Sequence, residues 1–138
     1  MIINLMTEDE FLKDFVVDME YHLESLRNDL VALTIGTDNP DHLDRISQTL
    51  RKIERTSDLL GYPQLTSVAA TMTEVIDEWR KGKSELPPSL PTVISQSVDH
   101  IRIVVSEIKR SGVEHTDSRA VINRLRELKK HIALVLAP

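Results

Sequence analysis

The chain offers five imidazoles, His22, His42, His100, His115 and His131, the side chains that proton or phosphoryl transfer near neutral pH uses first. Accepting a phosphoryl group requires a neutral ring nitrogen as nucleophile, with the second nitrogen held by an acceptor. His22 flanks an apolar seam beside Leu23 and reads as a half-buried packing residue. His42 falls in the first turn of a helix, where the helix dipole opposes a charged ring. His100 adjoins Ile101 at a seam edge, His115 lies in a loop, and His131 follows Lys129-Lys130 on a solvated face. None stands in the surroundings that phosphotransfer needs, although His22 is the least poor of the five.

Other chemistries find less. A di-metal bundle site needs inward Glu-x-x-His pairs, and the sequence contains none. Glu114-His115 and Asp99-His100 are adjacent pairs whose side chains diverge, so no metal site is expected. The four glycines sit at helix ends or turns and form no phosphate cradle, and no serine lies in a nucleophile elbow. Cysteine is absent, which excludes disulfides and thiolate chemistry and fits a reducing cytoplasm. No cofactor is implied, and stand-alone enzyme activity is not expected.

Composition bounds the remaining classes. A 28% charged and 41% hydrophobic chain of 138 residues is a single globular domain with a real core. No apolar run approaches the ~20 residues of a membrane helix, and the acidic start MIINLMTEDEF lacks the basic region of a signal peptide. The net charge of −5 argues against nucleic acid. It is uneven: residues 1–62 hold 13 acids and 6 bases, residues 63–138 hold 9 acids and 11 bases. Arg119, Arg124, Arg126, Lys129 and Lys130 gather near the C-terminus without interleaved aromatics, as on a solvated helix face.

Apolar periodicity supplies the elements that position these residues. Thr7 and Glu10 form a capping-box pair before a helix over 8–33, whose seam is Leu12, Val16, Met19, Leu23, Leu26, Leu30 and Leu33. Gly36 breaks it. Asp38 or Asn39 caps a second helix over 40–60, with Pro40 in its first turn and Gly61 as a left-handed end. Pro63 opens a third helix over 63–81 bearing Leu65, Val68, Ala69, Met72, Val75, Ile76 and Trp79 on one face. KSELPPSLP links it to a fourth over 90–110, with Ile94, Val98, Ile101, Val105 and Ile108, closed by Ser111-Gly112. Thr116 or Asp117 caps a fifth over 117–136, with Val121 or Ile122, Leu125, Leu128, Ile132 and Leu136. The expected fold is all-α: an antiparallel up-and-down four-helix bundle with an added C-terminal helix.

The second helix carries the most information. Ile46, Leu50, Ile53 and Leu60 form its apolar face, while Arg51, Glu54, Arg55 and Asp58 recur at i, i+3, i+4 and i+7 as an exposed stripe. As a plain solvated face this stripe would hold local pairs such as Arg51 with Glu54 or Arg55 with Asp58, worth tenths of a kcal/mol.

The segment ISQTLRKIERTSDLLGY, residues 46–62, resembles the phosphoacceptor helix I-F-R-x-x-H-[ST]-[IL]-K-G-x-A-x-x-[FL]-G-[FY] of the histidine phosphotransfer (HPt) domain that begins CheA-type chemotaxis kinases. Ile46, Ile53, Leu60, Gly61 and Tyr62 match its scaffold positions, and VIDEWRKGKSEL resembles the family's L-L-D-E-x-R-x-G-x-x-x-L segment. The resemblance spans nearly the whole chain, and the fifth helix points to the kinase type. It implies a single HPt-like domain over 1–138, the first domain of a larger cytoplasmic signalling protein.

The functional positions depart from that pattern. By the resemblance, the phosphoacceptor histidine falls on Arg51, the following lysine on Glu54 and the glycine after it on Arg55. The family's second histidine falls on Ala70, and the glutamate that holds the reactive ring falls on Thr73, with Glu74 adjacent. A guanidinium stays protonated below pH ~12 and has no lone pair to attack phosphorus. Glu54 would repel the phosphoryl group, and Arg55 would obstruct an approaching receiver. The expectation is a pseudo-HPt module that docks through Arg51, Glu54, Arg55, Asp58 and Glu74. Its expected partner is a response-regulator receiver, other domains of a CheA-like kinase, or a motility or polar scaffold. The alternative is an active phosphotransfer domain using another histidine, His22 foremost.

Overall fold

The computed structural model describes residues 8–35, 40–82 and 87–136. Five helices account for nearly all of them: α1 (Glu8–Thr34), α2 (Pro40–Leu59), α3 (Pro63–Gly82), α4 (Ser89–Ser111) and α5 (Arg119–Leu136). Each begins and ends within two residues of the range expected from periodicity, and no strand occurs among the described residues. The expected Thr7, Asp38 and Asn39 caps, Gly36 and residues 83–86 of the third link lie outside the described residues.

The seams explain the packing. Val16, Met19, Leu23 and Leu26 of α1 meet Ile46, Leu50 and Ile53 of α2, the apolar face of α3, and Leu90, Ile94, Ile101 and Ile108 of α4 in one continuous core. A fully buried side chain of this kind contributes ~1.5–3 kcal/mol, so four faces of this length amply favour a bundle over isolated helices. Helix α1 packs on α2 and α4, and α3 packs on α2 and α4, which is a closed ring of four. Ion pairs mark the directions. Arg80 near the end of α3 meets Asp44 near the start of α2, and Lys109 near the end of α4 meets Glu20 in α1 at 3.3 Å.

Among the described helices α5 packs only on α3 and α4, burying Val121, Leu125, Leu128 and Ile132, with Ile122 at the edge. Ser118 at its start donates its backbone N–H to Gln64 Oε1 (3.1 Å), and Lys129 reaches Glu74 of α3 (3.6 Å), so it runs parallel to α3. Of the two caps expected for α5, Asp117 fits: its Oδ1 accepts the Arg119 N–H at 2.9 Å. Thr116 instead donates its N–H and hydroxyl to Glu107 of α4. No described helix is long and apolar enough to cross a membrane.

Candidate functional site

The α2–α3 hairpin places every position singled out on the second and third helices. Helix α2 stops where Gly61 takes φ +78°, a conformation glycine adopts without strain. Gly61 N–H then donates to Asp58 O (3.1 Å) and Tyr62 N–H to Ser57 O (2.8 Å), the paired bonds of a left-handed helix end. Tyr62 is locked twice, its ring stacked on Phe15 with centroids 5.2 Å apart and its hydroxyl donating to Gly112 O (3.0 Å). Glu114, from the loop before α5, accepts the first free N–H groups of α3, from Gln64 (3.1 Å) and Leu65 (2.8 Å). A carboxylate there satisfies orphan donors and complements the helix dipole. The hairpin is therefore tied to the far side of the bundle by two contacts spanning about fifty residues of sequence.

Along the outer side of α2 lies an open groove of about 800 Å³, lined by Gln48, Arg51, Lys52, Glu54, Arg55, Asp58 and Thr66. The stripe found from spacing is thus one wall of a real concavity. Its internal pairing is different from the local pairs that spacing suggests. Arg51 reaches across to Asp77 of α3 at 3.6 Å, with the two side chains 54% and 41% exposed. Glu54, Arg55 and Asp58 form no side-chain ion pair or hydrogen bond among the described residues. Glu54 is half-buried, and Arg55 and Asp58 are exposed.

On α3, Ala70 is half-buried and Thr73 is buried, with its hydroxyl donating to Ala69 O of its own helix at 3.0 Å. That oxygen is engaged and carries no charge to hold an imidazole. Glu74 is exposed and drawn toward α5, pairing with Lys129 at 3.6 Å. Asp77 and Glu74 of α3 are thus each engaged by a cation, one from α2 and one from α5. Spacing within one helix gave no sign of either partner.

The histidines occupy varied settings. His22 is half-buried, and burial lowers its pKa below 6.5, opposed by Asp18 and reinforced by Lys52. Tyr21 meets it edge-on at 6.0 Å, and no hydrogen bond reaches its ring among the described residues. His100 is held by Ser118, its Nε2 2.7 Å from the buried hydroxyl, and burial lowers its pKa too. His115 Nε2 lies 3.2 Å from Ser111 Oγ, and His131 is exposed.

His42 comes nearest to a carboxylate-backed imidazole. Its Nδ1 lies 3.2 Å from Oδ1 of Asp29, an acid of α1 that is only 8% exposed. Arg45, three residues on, donates Nε–H to the same oxygen (3.1 Å) and brings Nη2 within 2.6 Å of Nδ1. Nδ1 thus faces both an acceptor, Asp29 Oδ1, and a donor, the Arg45 guanidinium, so its role in the cluster follows the ring's tautomer. This cluster was missed from sequence because its members are 13 and 16 residues apart.

No family model matches the chain. It is 26% identical over 118 residues to the chemotaxis protein CheA of Halobacterium salinarum, covering 86% of this chain and 18% of that protein. It is 25% identical over 126 residues to the sensor histidine kinase CheAY of Helicobacter pylori, covering 91% and 15%. CheA of Listeria monocytogenes is 23% identical over 114 residues, covering 83% and 18%. The chain therefore spans less than a fifth of these relatives. Among solved structures, the phosphorylated P1 domain of CheA3 in complex with CheY6 from R. sphaeroides superposes with a TM-score of 0.81 at 22% identity, covering 90% of this chain and 98% of that one. The alignments with CheA proteins over 83–91% of this chain, together with five helices superposing on a P1 domain, make this chain homologous to the N-terminal P1 (HPt) domain of CheA.

Proposed function

We propose that this chain is a pseudo-HPt module of chemotaxis-type signalling, which docks a response-regulator receiver through the α2–α3 face and carries no phosphoryl group. One observation carries the reading: the Arg51 guanidinium stands half-exposed against Asp77, and the resemblance of residues 46–62 to the family's phosphoacceptor helix puts the reactive ring at that position. The surrounding side chains agree with it. Glu54 brings negative charge where the family has lysine, and Thr73 turns its hydroxyl into its own helix. The structural neighbour was captured with a CheY-type protein, which supports a receiver as partner. His22 as a substitute acceptor lacks a hydrogen-bonded acceptor for its second nitrogen among the described residues. On this reading the chain is the first domain of a longer cytoplasmic signalling protein.

The test is binding of CheY-type receivers to the immobilised chain, with and without Arg51→Glu and Arg55→Glu together. The proposal expects saturable binding that the double reversal abolishes. Binding indifferent to both reversals, or no receiver binding at all, removes it.

A further inference from the structure

Helix α1 carries a second apolar line, on the side away from the core. Val17, Tyr21, Val31 and Ile35 are 63%, 70%, 54% and 72% exposed, four of the eleven large apolar side chains exposed among the described residues. With Glu24 and Asn28, both exposed, they lie at i, i+4, i+7, i+11, i+14 and i+18, the spacing of a heptad seam. At 3.6 residues per turn the six positions fall within an arc of about 80°, roughly opposite the buried Val16, Met19, Leu23 and Leu26. Ile35 continues the line because its N–H still donates to Val31 O (3.1 Å) just past the last residue of α1. None of the six lines the groove on α2. The order of polarity reads the same from either end: two apolar residues, then Glu24 and Asn28, then two apolar residues.

We infer that this line is the seam of a symmetric dimer, in which α1 of a second copy of the chain lies antiparallel across it. A two-fold axis at the level of Leu26 sets Val17 opposite the partner's Ile35, Tyr21 opposite the partner's Val31, and Glu24 opposite the partner's Asn28. Every level then matches apolar with apolar or polar with polar. A parallel pairing would instead set Glu24 against the partner's Glu24, and like charges on a seam repel. Charge fits the antiparallel crossing as well. Glu24 and Arg27 form no ion pair among the described residues, and the crossing brings each Glu24 beside the partner's Arg27. Val31 and Ile35 also border an open groove of about 430 Å³ between α1 and α4, whose wall includes Arg27 and Arg102. That groove offers the partner's Tyr21 ring a seat beside two guanidinium groups, a contact aromatic faces favour. A helix pair about 27 Å long lies at the low end of specific interfaces, roughly 1,200 Å² in total, so a micromolar dimer is expected. An anionic lipid surface fits less well, because Asp18, Glu20 and Glu24 flank the apolar residues.

Sedimentation velocity of the full chain, from micromolar to millimolar concentration, is expected to show monomer passing into dimer. Val31→Glu sets a carboxylate against the partner's Tyr21 and should raise the dimer Kd about tenfold or more. Glu24→Arg should weaken the dimer, and Glu24→Arg combined with Arg27→Glu should restore it, a rescue that a folding defect does not produce. The absence of native cysteine lets orientation be read directly. When Tyr21→Cys and Val31→Cys chains are mixed and mildly oxidised, disulfides between the two variants should clearly exceed those of either variant with itself. A chain that stays monomeric throughout, a dimer indifferent to Val31→Glu, a charge swap without rescue, or a predominance of like-with-like disulfides overturns the inference. So does flotation of a monomeric chain with anionic phospholipid vesicles that Val31→Glu abolishes.

Discussion

Restoring the histidine alone does not restore phosphotransfer. On the proposed alignment, Arg51→His puts an imidazole on the half-exposed wall of α2 without the glutamate and lysine that the family places beside its ring, leaving only Asp77 of α3 opposite. Position 73 is a buried threonine whose Oγ1 lies 3.0 Å from Ala69 O, so no carboxylate holds the second nitrogen. Position 54 is a carboxylate where the resemblance puts a lysine. A positioned acid–base partner contributes about 10²-fold or more, and a charge-stabilising donor about 10²–10³-fold. The product places Arg51→His about 10⁴-fold below Arg51→His combined with Glu54→Lys and Thr73→Glu. The assay is the initial rate of acid-labile label transferred from a phosphorylated chemotaxis-type kinase, with far-UV circular dichroism and thermal melts confirming that each variant is folded. If Arg51→His alone is labelled within tenfold of the folded triple variant, the supporting residues do not govern the chemistry and this reasoning fails.

Three further outcomes test the fold around the site. Glu114→Ala removes two N–H acceptors from the start of α3 and should cost about 1–2 kcal/mol, lowering Tm by roughly 3–8 °C. Ser47, buried in α2 with a hydroxyl that has no hydrogen-bond partner among the described residues, should tolerate Ser47→Ala with a gain of about 1 kcal/mol in chemical denaturation. Acid melts should show two limbs. Burial lowers the His22 and His100 pKa values below 6.5, so the unfolded chain takes up protons first and stability declines as pH falls below 6.5. The Thr116 hydroxyl, followed by the Thr116 and His115 N–H groups, holds Glu107 below 4.5. Its contribution is complete above pH 4.5 and disappears as pH falls through the lower folded value, a limb that Glu107→Gln should remove.

Helix positions were legible because each seam repeats an apolar residue every three or four positions, a pattern that only a helix buried on one side sustains. Gly61 and Gly112 announced two helix ends, and both adopt positive φ. The stripe from Arg51 to Asp58 was legible as a shared face, and it lines a groove. Its partners were not. Arg51 selects Asp77, 26 residues away on another helix, over the Glu54 that spacing offers. The Glu114 carboxylate crosses about fifty residues to cap α3, and Asp29 accepts from Arg45 across the first helical hairpin. Such pairings depend on how the helices are arranged around the core, which local periodicity does not encode. Helix α5 shows the same division: its amphipathic pattern was plain, while its parallel seat beside α3 follows from Gln64, Glu74 and the residues they meet.

The most direct measurement is whether the intact chain ever holds phosphate on a ring nitrogen. Incubation with a phosphorylated chemotaxis-type kinase, and separately with phosphoramidate, followed by phosphorus NMR and peptide mapping under alkaline conditions, reports every imidazole at once. The account predicts no phosphohistidine on His22, His42, His100, His115 or His131. A stoichiometric acid-labile phosphoryl group on any one of them contradicts it.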